Sequence, residues 1–381
     1  MGSESSYTFL ITGGAGFIGF HIGVKLLQLK HIVILFDVNY PLKKWDSNIE
    51  LDPNSDGEEI EEISCSYGTM KFVKGDVRDI NVLLRITQNV DCVIHTAAYG
   101  MSGLQQLARN FQTMEEININ GTRNVIEACV KNKCKGLVYT STNNVVFGGD
   151  AIINGDESLP YYPLHKQKSH YARTKSIAEQ LVLTSNGRGD LQTCALRLAG
   201  VIGRGDTRTL PRTIWSVRNG LLVVKFYDKH GGLLDWMGID NSVQGHVKAA
   251  LKLVDPERKT PGIGGQAFFL SDGRPVPAFD YIKPIFEYYN QPYPKIRVPL
   301  WIMTISVFLM MCVSKFLSAL FFEWVPFINL GELEKSSVTH YFSIEKAKKE
   351  LDYYPVKPND LTDVIDSLSE NGGDSWRSLT W

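Results

Sequence analysis

The first half of the chain alternates short runs of β-branched and other apolar residues with longer segments of helical periodicity. This alternation is typical of a parallel sheet wrapped by helices. The pattern predicts strands at Tyr7–Thr12, His31–Phe36, Lys71–Lys74, Asp91–His95, Gly136–Thr140 and Leu191–Arg197. It predicts helices at Phe17–Leu29, Ile80–Gln88, Thr113–Lys131 and Arg173–Ser185. We therefore expect an α/β fold with a doubly wound parallel sheet over residues 1–199.

Residues 45–67 interrupt this alternation because they are strongly acidic and include no basic residue. The acidic residues are Asp46, Glu50, Asp52, Asp56, Glu58, Glu59, Glu61 and Glu62. Such a segment has little apolar surface to bury, so we expect a solvated surface insertion. From about residue 200 the alternation loosens and Pro and Gly become frequent, which predicts a smaller substrate lobe over 200–381 that is interleaved with the core. Late in this lobe, amphipathic helices are predicted at Ser343–Leu351 and Asp360–Leu368.

The most apolar stretch of the chain lies inside this lobe, at residues 298–325. Val298–Ser314 is 17 residues long without a charge, and apolar residues resume after Lys315 at Phe316–Phe322. A helix of 17 residues spans about 26 Å, slightly less than a bilayer core of about 30 Å. One helical arc collects Thr304, Ser314, Lys315 and Ser318. A partly polar stripe on so apolar a helix predicts membrane association, with a buried helix covering the lobe as the alternative.

Charge and cysteine usage narrow the possible partners. Lys and Arg number 40 against 41 for Asp and Glu, which gives a net charge of -1. No stripe of basic residues interleaved with aromatics is present, so nucleic-acid binding is not expected. The six cysteines form no Cys-x-x-Cys pair and no cluster with histidine, which argues against a metal site and favours a reducing compartment.

A glycine motif joins the first predicted strand to the first predicted helix, in the sequence Thr12-Gly13-Gly14-Ala15-Gly16-Phe17-Ile18-Gly19. Gly13, Gly16 and Gly19 suit a tight turn, a close approach of the backbone to a pyrophosphate, and helix–strand packing. The helix start at Phe17 and Ile18 offers free N–H groups to that pyrophosphate. These features predict a Rossmann-type dinucleotide site.

An acidic residue after the second strand indicates which dinucleotide is bound. Asp37 lies 18 residues after the last glycine of the motif. A carboxylate there can accept hydrogen bonds from the adenosine ribose and would repel the 2′-phosphate of NADP, so we expect NAD. Further cofactor contacts are predicted at Asp76 and Val77, after the third strand, and at Ala97, after the fourth. A helix N-cap is an alternative role for Asp76 or Asp79.

Candidate catalytic residues lie at the start of the helix predicted after the fifth strand. Tyr171 and Lys175 are four residues apart and share a helix face. Oxidation of an alcohol needs a base for the hydroxyl proton, and a free tyrosine, with a pKa of about 10, is a poor base at neutral pH. The Lys175 ammonium and the positive nicotinamide ring can stabilise the phenolate. A hydroxyl from the strand end, Ser141 or Thr142, would bind the reacting oxygen, and we favour Thr142.

Several longer stretches carry a more specific likeness than the glycine motif does. They are Tyr99–Gly103, Asn118–Thr122, Val138–Gly148, Gly155–Pro160, Tyr171–Gln180, Ser271–Pro275 and Thr339–Leu351. In these stretches the chain resembles the extended short-chain dehydrogenase/reductases and, among them, the 3β-hydroxysteroid dehydrogenase/isomerase-like group, most of all the subgroup numbered 42E. The resemblance covers nearly the whole chain except the acidic insertion.

The resemblance implies a role for each catalytic candidate. Tyr171 would be the proton acceptor, Lys175 its cofactor-binding partner, and Thr142 the family's Ser/Thr, while Asn118 would order a helix beside the site. It also implies a membrane location at the endoplasmic reticulum, with the catalytic domain facing the cytoplasm. A homodimer through the two helices at Thr113–Lys131 and Arg173–Ser185 is a further expectation from the family.

Three departures from the family pattern lie on the substrate side. Leu198 stands where the family usually has Pro, Gly203-Arg204-Gly205 replaces a Gly-Pro-Gly-like turn, and Gly238 replaces a His. They leave the cofactor prediction intact and put the substrate in doubt.

Together, the residues and the resemblance predict NAD-dependent oxidation of a 3β-hydroxyl on a steroid or sterol to the ketone. Hydride would pass to NAD and the proton to Tyr171. Some members of the group also shift a ring double bond, a step that nothing in this sequence indicates. Two alternatives stay open. A nucleotide-sugar epimerase or dehydratase shares the fold and the Tyr-x-x-x-Lys pair, although the apolar segment counts against it. A catalytically weak NAD-binding regulatory protein is kept open by Leu198 and Gly238.

Overall fold

The helices and strands follow from a computed structural model, which describes residues 6–41, 49–50, 60–101, 103–206, 208–255, 262–319, 328–357 and 360–370. The strands are β1 (Thr8–Thr12), β2 (Ile32–Asp37), β3 (Ile49–Glu50), β4 (Ile60–Cys65), β5 (Gly68–Lys74), β6 (Cys92–His95), β7 (Gly136–Thr142), β8 (Ile152–Gly155), β9 (Gln192–Leu198), β10 (Gly200–Ile202), β11 (Val224–Lys225), β12 (Leu233–Leu234), β13 (Trp236–Gly238), β14 (Gln266–Leu270), β15 (Val276–Pro277), β16 (Ile296–Arg297) and β17 (His340–Phe342). The helices are α1 (Phe17–Gln28), α2 (Ile80–Ile86), α3 (Phe111–Glu115), α4 (Thr122–Lys131), α5 (His170–Thr184), α6 (Pro211–Arg218), α7 (Ile239–Val254), α8 (Ala278–Tyr281), α9 (Lys283–Tyr288), α10 (Leu300–Ala319), α11 (Leu330–Ser337), α12 (Glu345–Leu351) and α13 (Thr362–Glu370).

Most of the strands in the first half belong to one large sheet. Among the described residues its order is β14-β9-β7-β6-β1-β2-β5-β4-β3. The strands from β14 to β5 are parallel, whereas β4 and β3 join antiparallel at one edge. Because β1 lies between β2 and β6, the winding reverses there, and the crevice beyond these strand ends is where open α/β sheets bind ligands. The predicted Rossmann-type α/β class is confirmed.

Helices cover both faces of this sheet, and alternate residues of β1 point to the two layers. Phe9 and Ile11 are buried with residues of α1 and α7. Leu10 is buried with residues of α2, α4 and α5 on the opposite face. This double burial explains why the parallel strands appear as continuous apolar runs in the sequence.

Two predicted segments differ from the structure. The helix predicted at Thr113–Lys131 is composite: α3 passes through a π-helical turn at Glu116–Gly121 into α4. The expected solvated insertion does not hold for β4, which pairs antiparallel with β5 and buries Ile63 fully. Glu62 and Ser64 on either side of Ile63 are exposed, so half of this strand carries the acidic surface. The insertion's residues 45–48 and 51–59 lie outside the described residues.

The substrate lobe has its own apolar cluster, to which α6, α8, α9, α10, α11 and α13 contribute. A small sheet of order β15-β12-β17-β8 ties the lobe to the first half of the chain, because β8 belongs to the segment between β7 and α5. The two late amphipathic helices form as α12 and α13, close to their predicted bounds.

The apolar segment forms one continuous helix, α10, which Lys315 does not interrupt. It is the single helix in the described part of the chain that is long and apolar enough to cross a membrane, over Leu300–Leu317. Val307 is buried against the lobe, and Thr304 and Ser314 lie on that same packed side. The predicted polar arc therefore faces the protein in part, while the opposite face exposes Trp301, Phe308, Leu309 and Phe316. Residues 320–325 of the predicted segment lie outside the described residues.

Candidate active site

One cavity of about 1140 Å³ runs from the glycine motif across the ends of β1, β6 and β7 into the substrate lobe. It is lined by every residue that the sequence predicted for the cofactor and catalytic sites: Gly13, Gly16, Phe17, Ile18, Gly19, Asp37, Asp76, Val77, Ala97, Thr142, Tyr171 and Lys175. The fold thus gathers at the switch point residues that are far apart in the sequence. Among the described residues, no group of three His, Cys, Asp or Glu side chains could hold a metal ion.

The glycine motif forms a turn that only glycine fits at two positions. Gly13 has a φ of +71°, and a Cβ there would lie 2.7 Å from the backbone nitrogen of Ala97. A Cβ on Gly19 would collide with the carbonyl oxygen of Gly13. Gly16 is the N-cap of α1 and brings no side-chain cap, so the first N–H groups of α1 stay available to an anion. This cradle fits the pyrophosphate of a dinucleotide.

Asp37 stands at the end of β2 beside this cradle. Its carboxylate accepts hydrogen bonds from the N–H groups of Ala15 and Asn39, each at 3.1 Å. Burial raises the pKa of Asp37, while these backbone N–H groups and the Arg208 charge act in the opposite direction. A carboxylate fixed in this way can accept the ribose hydroxyls of NAD and disfavours a 2′-phosphate.

The structure distinguishes between Asp76 and Asp79, for both of which the sequence left a helix N-cap open. Asp79 is the N-cap of α2 and accepts hydrogen bonds from Asn81 and Val82. Asp76 instead pairs with the guanidinium of Arg78, with an Nη2–Oδ2 distance of 2.6 Å. The carboxylate of Asp76 is therefore already engaged within the protein, although Asp76 and Val77 both line the cavity.

Tyr171 and Lys175 lie on the first turns of α5, which begins after the N-cap Ser169. Tyr171 is buried, and this burial raises its pKa to about 12, opposed by the positive charge of Arg208. Lys175 Nζ donates to the carbonyl oxygen of Thr140 at 2.7 Å and lies 4.1 Å from the ring centroid of Tyr139. Burial lowers the pKa of Lys175 to about 7, and Glu179 opposes that shift.

The end of β7 distinguishes between the two hydroxyl candidates. The Ser141 hydroxyl donates to Glu179, which is itself paired with Arg197, so Ser141 belongs to a buried network behind the site. The Thr142 hydroxyl accepts a hydrogen bond from the side-chain amide of Asn144 at 2.7 Å. The Ser141 hydroxyl is thus committed to a carboxylate, whereas Thr142 Oγ1 is engaged by a neutral amide at the cavity wall.

Asn118 lies on the π-helical turn and connects three parts of the site. Its amide accepts from the N–H of Tyr99 at 2.8 Å and donates to the Tyr99 carbonyl at 2.9 Å. It also donates to the Thr174 hydroxyl on α5, at 2.9 Å. Asn118 therefore fixes the backbone after β6 relative to the helix that bears Tyr171.

Sequence reasoning missed three basic residues that line the lobe side of the cavity: Arg208, Arg212 and Lys335. Arg208 and Arg212 are four residues apart, but Lys335 is more than a hundred residues away in the sequence, so no local spacing predicts the three as one group. Of the three departures from the family pattern, Leu198 lines the cavity. Gly203 gives space to Ile239, because a Cβ there would lie 2.6 Å from Ile239 Cγ2. The N–H of Gly238 donates to the carboxylate of Asp272.

This fold and site define a dinucleotide-binding protein of the short-chain dehydrogenase/reductase type. The model of the 3-beta hydroxysteroid dehydrogenase/isomerase family matches residues 10–300. The chain belongs to this family, so the resemblance seen in the sequence is confirmed.

Named relatives agree with that membership. Short-chain dehydrogenase/reductase family 42E member 1 of Macaca fascicularis is 42% identical over 375 residues, covering 96% of this chain and 88% of the relative. A 3 beta-hydroxysteroid dehydrogenase/Delta 5-->4-isomerase of Mycobacterium tuberculosis is 31% identical over 356 residues, covering 91% and 86%.

Solved structures share the fold at lower identity. A UDP-glucose 4-epimerase of Thermotoga maritima has a TM-score of 0.67 at 18% identity, covering 96% of this chain and 99% of its own. A dTDP-glucose 4,6-dehydratase of Streptomyces venezuelae, with NAD bound, has a TM-score of 0.65 at 20% identity, covering 96% and 98%. At such identities the likeness concerns the fold alone.

Proposed function

We propose that this protein oxidises a 3β-hydroxyl group of a steroid or sterol to the ketone, with NAD as the cofactor. Support for NAD comes from the glycine cradle and from Asp37, a carboxylate at the end of β2 that would repel a 2′-phosphate. Bound NAD⁺ supplies the hydride acceptor and a positive charge. Family membership supports oxidation of an alcohol.

Tyr171 is the proposed base for the hydroxyl proton. Its pKa of about 12 in the buried site is too high for that task, so the task needs cations near the phenol oxygen. Lys175 and Arg208, two of the cations on the cavity wall, are proposed for this role, and the charge of Arg208 already acts to lower the pKa of Tyr171. Lys175 Nζ is held by the hydrogen bond to the Thr140 carbonyl and by the Tyr139 ring. Thr142 is the proposed hydrogen-bond partner of the reacting oxygen.

The observation that carries the steroid proposal is the apolar wall of the lobe half of the cavity. Side chains that line it include Leu198, Leu210, Phe226, Phe279, Ile282 and Met303. A rigid, largely hydrocarbon substrate is held by such a wall mainly through the burial of apolar area, at about 25 cal/mol per Å². A hydrophilic sugar would gain little from these side chains.

Membrane association is part of the proposal, because α10 presents an apolar face that no described residue covers. Trp301 and Phe316 are each 65% exposed, near opposite ends of the helix. Met303, on the other side of the same helix, lines the cavity. An enzyme for a sterol would gain from such contact with lipid, where the substrate is concentrated. Location at the endoplasmic reticulum and a homodimer stay predictions, which fractionation and sedimentation velocity would test.

A sugar-nucleotide epimerase or dehydratase is the second candidate, and the three basic residues of the cavity favour it. Two of them have internal partners: Arg212 pairs with Glu332, and Arg208 donates to Gln105. Together with the apolar wall, these pairings leave the steroid as the better fit.

The test is NADH formation, followed by absorbance, from detergent-solubilised protein with NAD and a panel of 3β-hydroxysteroids and sterols. UDP-glucose serves as the competing substrate. Tyr171→Phe should abolish turnover while NADH affinity is retained, and Tyr354→Phe, at an exposed tyrosine outside the cavity, should behave as the wild type. Turnover that survives in Tyr171→Phe would refute the proposed role of Tyr171. Binding of UDP-glucose without turnover of any steroid would favour the second candidate.

A further inference from the structure

Lys335 is a basic residue of the cavity for which the described part of the chain offers no hydrogen-bond or ion-pair partner. It lies on α11, is partly buried, and lines the lobe half of the cavity together with Ser336. Among the described residues, none forms a hydrogen bond or an ion pair with its ammonium group. Burial lowers the pKa of Lys335, and the negative charge of Glu332 only partly offsets this shift.

Both acids of α11 are already engaged, and Glu334, next to Lys335 in the sequence, pairs with Lys168. Glu332 Oε1 accepts from Arg212 Nη1 at 2.7 Å. Its other oxygen accepts from the N–H of Asn329 at 3.1 Å, as part of the capping box that begins α11. Both oxygens of Glu332 thus have partners, and an approach of Lys335 would compete with an ion pair and a helix cap.

The remaining acids of the cavity lobe are engaged by backbone groups. Asp206 accepts from the N–H groups of Arg208, Thr209 and Leu210, at 2.8 to 2.9 Å. Asp235 accepts from the N–H of Phe342 at 2.7 Å. His340, which also lines the cavity, bonds the Val338 carbonyl through Nδ1. Each of these groups forms hydrogen bonds with the backbone of the lobe, and Lys335 lines the cavity without such a bond to them.

A partly buried ammonium without a direct ion-pair partner is costly, and a ligand that carries an anion reduces that cost. We propose that Lys335 forms a subsite for an anionic group of the substrate, so that the preferred substrate is an acidic steroid, with a carboxylate in addition to its 3β-hydroxyl. This inference rests on the proposed dehydrogenase function and narrows its substrate class. The apolar wall would hold the ring system, and Lys335 would select the acid.

The test compares a 3β-hydroxysteroid that bears a side-chain carboxylate with its methyl ester, each delivered in cyclodextrin. The ester keeps the ring system and the hydroxyl and removes only the charge. The wild type should prefer the acid by about tenfold or more in kcat/KM, the size expected for a hydrogen bond between charged groups. Lys335→Met should bring that ratio close to one. Lys349→Met, at an exposed lysine on α12 outside the cavity, should keep the preference.

Equilibrium dialysis of both steroids with the NADH-loaded protein separates this inference from the reaction itself. Tighter binding of the acid than of the ester, lost in Lys335→Met but kept in Lys349→Met, supports the subsite even if neither compound is oxidised. If the acid binds in this way but neither compound is oxidised, the proposed dehydrogenase function is refuted and the anion subsite is still supported. Equal binding of acid and ester to the wild type overturns the subsite, as does a preference that persists in Lys335→Met. Retained NADH affinity shows that the variant has folded.

Discussion

The buried ion pair behind the catalytic helix gives the sharpest stability prediction. Arg197 on β9 and Glu179 on α5 are 4% and 0% exposed, and Arg197 Nη2 lies 2.8 Å from Glu179 Oε1. Arg197 Nε donates to the same oxygen at 2.9 Å, and Tyr161 also donates to it. The guanidinium carbon of Arg197 lies 5.2 Å from the ring centroid of Tyr161 and 5.1 Å from that of Phe269. Arg197→Met keeps most of the volume and leaves Glu179 charged and buried.

We expect Arg197→Met to lower the free energy of unfolding by about 3–5 kcal/mol, because breaking a buried pair strands one charge. The double variant Glu179→Gln/Arg197→Met should recover about 2 kcal/mol or more of that loss, since it removes the stranded charge. Urea unfolding followed by tryptophan fluorescence at pH 7.5 measures both. A loss below about 1 kcal/mol in the single variant would refute the reasoning, as would a double variant no more stable than Arg197→Met.

Three further predictions concern the cofactor, pH and the membrane. Asp37→Ser should raise the KM for NAD about tenfold and shift the kcat/KM ratio towards NADP; an unchanged ratio would contradict the ribose contact. His246 is buried, and its pKa of about 4 lies below its unfolded value of about 6.5. Between pH 6.5 and pH 4, unfolding therefore takes up a proton at His246, and the stability of the folded protein falls as the pH falls through this range. His246→Gln should therefore lose less stability than the wild type between pH 6.5 and 4.5, by about 2 kcal/mol in urea titrations, and equal losses would exclude His246 as the cause. The double variant Phe308→Asp/Leu309→Asp should reduce flotation of the protein with phosphatidylcholine vesicles several-fold. The control Ile153→Asp, at an exposed apolar residue outside α10, should float as the wild type does. An equal loss of flotation in both variants would argue against α10 as the membrane contact.

The sequence predicted the sheet well because its parallel strands are buried on both faces. Each strand is a short apolar run closed by a turn signal, and the glycine motif gives the cofactor end of the site directly. The prediction was wrong at β4, where counting acids hid the alternation of Glu62, Ile63 and Ser64. Because β4 pairs with β5, it forms a strand with Ile63 as its buried apolar residue.

The lobe side of the site could not be predicted in the same way. Arg212 on α6 and Lys335 on α11 line one cavity because these two helices pack against the same apolar cluster, and Arg208 lies just before α6. The π-helical turn that holds Asn118 also leaves no periodic signal, since one extra residue per turn shifts the helix face without changing its composition. For α10, periodicity grouped Thr304 and Ser314 correctly, but which side meets the lobe depends on tertiary packing.

The pairing of β17 with β8 has a consequence for synthesis on the ribosome. Residues 152–155 leave the ribosome long before their partner strand at residues 340–342 does, and β14 at the edge of the large sheet also arrives late. The Rossmann half therefore emerges with an unfinished sheet, and α10 emerges before β17 closes the lobe. During that interval the apolar α10 has to be shielded by lipid or a chaperone. Translation speed across the last third of the chain should therefore affect the yield of folded protein.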